Sequence, residues 1–196
     1  MIDEALRRGL LALARRDLET RDRLAAAGTL FDAYHPEMQA VHEANAAALL
    51  VFVEAQGWPG RPLVGDDGAE AAWLIAQHAI GLPPFQRTCL RYLEAAAEAG
   101  EVPTWQPAYL VDRILSLEGR KQVYGTQFDW DGKGEMSPLP IEDAAAVDAL
   151  RSAVGLPPLA EAILVQRASA NRDNRPADLA EHRRRMRAWA RLVGWR

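Results

Sequence analysis

The sequence predicts a mainly α-helical single domain: a bundle of about seven or eight helices with one small β-hairpin near residues 121–141. Three observations point there. Apolar residues recur every three or four positions through Ala- and Leu-rich stretches. Glycine and proline punctuate those stretches at regular intervals. One short segment rich in aromatic and β-branched residues then breaks the pattern. With 196 residues, 49% hydrophobic and 26% charged, the chain has the size and balance of one ordinary domain with a buried core.

Leu6, Leu10 and Leu13 fall at helical spacing, and Gly28 marks the end of that helix. His35-Pro36 opens a second, because proline suits the first helical position, and Gly57 followed by Pro59 closes it. Its inner face is Val41, Ala44, Ala48 and Phe52. Asp66 or Asp67 is placed to cap a third helix carrying Trp73, Leu74, Gln77 and His78 before Gly81. Pro83-Pro84 begins a fourth, with Phe85, Cys89, Tyr92, Leu93 and Ala96 before Gly100. Thr104 caps a fifth, which runs through Tyr109, Leu110 and Ile114 to Gly119.

Lys121–Trp130 then supplies Val123, Tyr124, Thr126, Phe128 and Trp130, a strand composition. Asp131-Gly132-Lys133-Gly134 provides a turn, and Glu135–Ile141 the returning strand, which Pro138 and Pro140 confine to an edge. Asp143 caps a helix to Gly155, Pro157-Pro158 opens another, and residues 171–176 read as a linker. The last helix gathers Met186, Trp189, Ala190 and Val193 on one stripe, with arginines elsewhere. The expected organisation is a helical domain over residues 1–170 with the hairpin inserted, and a basic terminal helix over 171–196 docked on it.

The net charge of −4 conceals an asymmetry. Residues 167–196 hold nine arginines against Asp173, Asp178 and Glu181, a net +6, which leaves −10 on the rest. Such a tail either docks on its own acidic body, the favoured reading, or binds nucleic acid or an acidic protein. No apolar run approaches the roughly 18 residues needed to cross a bilayer. The acidic start Met1-Ile2-Asp3-Glu4 is unlike a signal peptide, and the single Cys89 cannot form an internal disulfide. A cytoplasmic location without membrane attachment is the expectation.

Few residues match a known chemistry. His35, His42, His78 and His182 show no His-x-x-x-His pair, and His35 and His42 lie about 10 Å apart along a helix. The expectation is no metal and no cofactor, with a tertiary site joining His78 to His35 or His42 left open. Asp129-x-Asp131-x-Lys133-Gly134 has Lys at the fifth position of a calcium loop and Pro140 at the twelfth, so a hairpin turn is the better reading. There is no Gly-x-Ser-x-Gly elbow and no glycine-rich phosphate loop. Cys89 shares a face with Phe85 and Leu93, as a core residue would.

Two polar groups on apolar faces stand out. Gln77 and His78 lie among Trp73, Leu74 and Ile75, where buried polar side chains need partners. His78 is the candidate acid–base group, although an imidazole in the last helical turn also suits the helix carbonyls. Asp112-Arg113 adjoins Tyr109 and Leu110, so Arg113 calls for a carboxylate or an anionic ligand. Strand alternation over Gln122–Gln127 would put Gln122, Tyr124 and Thr126 on one side and Val123, Gly125 and Gln127 on the other. These amides and hydroxyls suit either readout of a polar ligand or satisfaction of buried backbone.

The same residues carry a resemblance. The marks are His35-Pro36-Glu37-Met38, Gly57-Trp58-Pro59, Ala71-Ala72-Trp73, Ala76-Gln77-His78-Ala79, Phe85-Gln86, Asp112-Arg113, Gly119-Arg120-x-Gln122-x-Tyr124-Gly125-Thr126-Gln127 and Pro140-Ile141-Glu142-Asp143. With them the chain resembles an uncharacterised bacterial family, a domain of unknown function common in actinobacteria, over roughly residues 5 to 163. The resemblance implies a bacterial source and a shared polar site, and it brings no activity. The Arg-rich last helix lies beyond it.

The functional expectation is a small metal-independent enzyme for hydrolysis or group transfer on a polar, in one version anionic, small molecule. His78 is its acid–base group, and Gln77, Asp112, Arg113, Gln122, Tyr124, Thr126, Gln127 and His35 form the ligand-binding set. A non-catalytic module for a small ligand or peptide is the first alternative. Docking of the basic helix on a protein or nucleic acid is the second.

Overall fold

A computed structural model describes residues 2–30, 34–171 and 175–196. Among these the chain forms eight helices and one two-stranded antiparallel sheet, the mainly α architecture that the periodicity predicts. They divide into two compact units, residues 1–106 and 107–196.

The first unit is helical. Helix α1 (Glu4–Ala26) starts where the Asp3 carboxylate accepts the amides of Ala5 and Leu6. Helix α2 (Pro36–Gln56) starts with Pro36 in its first turn and His35 as cap, Nδ1 accepting the Glu37 amide at 3.2 Å. Gly57, at φ 86°, ends it. Helix α3 (Arg61–His78) begins earlier than the Asp66–Asp67 cap suggested. Pro62 nucleates a first turn after Gly60, and Gly65 at φ 73° kinks the helix before its main run. Helix α4 (Pro83–Glu98) follows, and α5 (Trp105–Leu117) begins at the residue after Thr104.

Packing follows the stripes. Helix α1 buries Leu10, Ala14, Asp17 and Leu24, and packs chiefly on α3. Helix α2 buries Met38, Val41, His42, Asn45, Ala46, Leu49 and Val53. The α3 face is small, with Ala69, Ala71, Ala72 and Ala76 around Val64 and Ile75, which lets neighbouring backbones come close. Cys89 lies buried on α4 beside Phe85 and Leu93, and burial pushes its thiol up to about 12, as for an inert core residue.

In the second unit the hairpin is present but short. Strand β1 (Phe128–Trp130) pairs with β2 (Met136–Pro138), with Asp129 opposite Ser137. Residues 121–127 are not the strand that their composition suggests. Gly125 stands at φ 66°, and the amides of Val123, Tyr124 and Thr126 all turn toward Asp112 of α5. A strand points successive amides to opposite sides, so this convergence excludes the alternating arrangement. The β turn is closed by Asp131, whose carboxylate accepts the Lys133 and Glu135 amides and the Ser137 hydroxyl.

Helices α6 (Val147–Ala153), α7 (Leu159–Ser169) and α8 (Leu179–Leu192) complete the unit. Asp143 accepts the amides of Ala145 and Ala146 just ahead of α6. The basic end makes contacts inside this unit: Arg183 Nε reaches Asp129 at 2.9 Å, and Arg196 donates to the Leu117 and Ser116 carbonyls. Of the expected linker at 171–176, residues 172–174 lie outside the described residues. No helix among the described residues is long and apolar enough to cross a membrane.

Candidate functional site

Among the described residues, Asp17 of α1, His42 of α2 and His78 of α3 in the first unit bring their side-chain ligand-type atoms within 4.8 Å of one another. Asp17 interrupts the apolar stripe of α1 and is fully buried. His42 does the same on α2, and His78 ends α3. His78 Nδ1 lies 2.9 Å from Asp17 Oδ1. His42 Nε2 lies 3.2 Å from Asp17 Oδ2, within ion-pair range but without hydrogen-bond alignment. On its far side His42 Nδ1 meets the Tyr34 hydroxyl at 2.7 Å.

Electrostatics ties the group together. Burial alone would raise the Asp17 carboxyl, but the two imidazoles set against it, His42 and His78, prevail and hold it well below the ordinary carboxylate range. The Tyr34 phenol is pushed up, first by burial and then by the charges of Glu43 and Asp17. The imidazoles of His42 and His78 stand 5.5 Å apart, and Tyr34 stacks on His42. Side-chain exposure rises from 1% at Asp17 and 9% at His42 to 27% at His78. Of these three, His78 is the most open to a dissolved molecule.

Other buried polar atoms without hydrogen bonds occur on α2 and α3. Asn45, one turn beyond His42, donates to the Leu13 carbonyl at 3.0 Å but leaves its Oδ1 unpaired. Gln77 is 3% exposed, and neither side-chain amide atom is paired. Its backbone carbonyl and that of Ala76 accept from Gln86 Nε2, which pins α4 to the end of α3. Buried polar atoms left in this way call for water, an ion or a ligand.

The remaining candidates fall in the second unit, apart from His35, which caps α2. The Asp112 carboxylate takes the Val123 amide at 2.7 Å, the Tyr124 amide at 3.1 Å, and both the amide and hydroxyl of Thr126 at 2.9 and 3.0 Å. The Gln122 side chain, fully buried, donates to the Gln127 and Leu139 carbonyls and accepts the Gln127 amide. Gln127 Nε2 donates to the Thr126 hydroxyl. Arg151, 2% exposed, holds the Tyr124 carbonyl at 2.7 Å and the Pro157 carbonyl at 2.6 Å. These groups are engaged in holding one another and the loop backbone. Arg113 makes no ion pair among the described residues, and burial brings its guanidinium down to about 10.

The model of a family of unknown function, DUF6624, matches residues 4–180. The chain belongs to this family. No curated protein and no solved structure matches it. The DUF6624 span contains Asp17, Tyr34, His42 and His78 as well as the Asp112 loop, and it stops just inside α8.

Sequence reasoning singled out His78 and left its partners unnamed. Asp17 and Tyr34 were missed, and His42 entered only as an open alternative. The available signal was a carboxylate, Asp17, seven residues after Leu10 on the Leu10–Ala14–Asp17 stripe. An acidic residue on a buried face demands a partner, and His42 on the buried face of α2 is the matching signal.

Proposed function

We propose that the chain is a small enzyme that carries out hydrolysis or group transfer on a polar small molecule, with His78 as its acid–base group and Asp17 orienting it. The observation that carries this reading is the 2.9 Å contact between His78 Nδ1 and a fully buried carboxylate, on the most exposed residue of the cluster. A buried carboxylate on one ring nitrogen fixes the imidazole's tautomer and orientation and stabilises its protonated form, which is what a proton carrier needs. On the other oxygen of Asp17, His42 Nε2 stands at 3.2 Å, and the Tyr34 hydroxyl backs the far nitrogen of that imidazole at 2.7 Å. The proton is carried by protein groups alone in this reading.

The test is turnover of nucleotide, sugar ester and amide substrates by the wild type and by His78→Ala. His78 is part-exposed at a helix end, so the variant should fold, as circular dichroism will show. A loss of about 10²–10⁴ in kcat is expected for removing a general acid–base group. Turnover that survives in His78→Ala overturns the proposal. Thermal stabilisation by a metabolite without turnover would replace the enzyme by a binding module.

A further inference from the structure

We infer that Asp17, His42 and His78 form a site for one divalent transition-metal ion of the zinc type. The inference rests on reading this cluster as the functional centre, and it supplies a second occupant for it. One ligand atom from each of the three residues lies within 4.8 Å of the other two. Ligand atoms about 2.1 Å from a shared ion stand roughly 3.0 to 3.4 Å from their neighbours. The observed separations, 2.9 Å from Asp17 Oδ1 to His78 Nδ1 and 3.2 Å from Asp17 Oδ2 to His42 Nε2, are close to that size, with one imidazole on each carboxylate oxygen.

Three further features fit an ion better than a purely hydrogen-bonded cluster. Asp17 Oδ2 and His42 Nε2 are buried, face each other, and make no hydrogen bond. A cation between two lone pairs removes that mismatch. His42 Nδ1 contacts the Tyr34 oxygen, and a metal-bound imidazole commonly donates its second N–H to an oxygen in this way. The set of two imidazoles and one carboxylate suits zinc, cobalt, iron or manganese rather than the all-oxygen sites of calcium and magnesium. Three protein ligands also leave a coordination position open, as in catalytic zinc sites. Ion and protons are alternatives at the same atoms, so occupancy by one displaces the other.

The test uses the full chain without a histidine tag, stripped with a chelator and dialysed against Zn²⁺ or Co²⁺. The expected result is one equivalent of metal per chain and a visible Co²⁺ absorption band. His78→Ala and His42→Ala should each weaken binding by more than about 100-fold, and Tyr34→Phe by about 10-fold. His35→Ala and His182→Ala should leave it unchanged. Absence of stoichiometric metal, or equal binding by wild type and His78→Ala, overturns the inference. The acid–base proposal fails separately. If stripped protein turns over substrate and zinc blocks it, both stand; if only zinc-loaded protein is active, the metal site stands and the His78 proton carrier falls.

Discussion

Asp17 is the residue on which the first unit's chemistry turns. It is a carboxylate with no exposure, held ionised by two imidazoles, and its removal leaves their ring nitrogens facing an apolar stripe. Asp17→Asn keeps the shape but removes the charge and supplies the wrong hydrogen-bonding group to at least one histidine. The expected cost is about 2 kcal/mol at pH 7, read from urea unfolding. Its pH dependence has a definite sign. A carboxyl depressed on folding contributes stability that is fully present above its unfolded value, about pH 4, and lost as pH falls toward the folded one. The gap between wild type and Asp17→Asn should therefore narrow between pH 5 and pH 3. A gap that stays constant over that window would mean that Asp17 is not held ionised by its partners.

Among the elements, the segment after α5 shows how a carboxylate overrides propensity. Val123, Tyr124 and Thr126 favour a strand, yet Asp112 gathers their amides and Gly125 supplies the left-handed residue that lets the chain turn. Gly125 is also crowded, since a Cβ there would stand 2.9 Å from Leu159 and 3.0 Å from Ile141. Asp112→Ala would leave three loop amides and a hydroxyl without their acceptor, at an expected cost of about 4 kcal/mol in chemical unfolding. A loss below about 1 kcal/mol would show that the loop holds itself. The hairpin itself was legible because the Asp131 turn and the flanking aromatics are local signals. The loop was not, because its cause lies eleven to fourteen residues upstream on another element.

Across the whole molecule, legibility followed the range of the interactions. Helix periodicity, proline at helix starts and glycine at their ends act over a few residues, so the mainly α class could be read directly. His78 was legible too, as an imidazole at the end of an apolar face. Its partners were not, because Asp17 is 61 residues away and meets His78 only after α1 packs on α3. No spacing rule describes that meeting, whereas a carboxylate inside a leucine stripe announces that some partner exists. Membership in a family of unknown function leaves the chemistry to be argued from such side chains.

The central claim is that Asp17 organises His42 and His78 into one site, and imidazole nitrogen NMR tests it most directly. In metal-free, ¹⁵N-labelled protein, Asp17→Asn should move the ring-nitrogen signals of His42 and His78 while those of His35 and His182 stay in place. Signals of His42 and His78 that do not respond to Asp17→Asn, in a variant that remains folded, would contradict it.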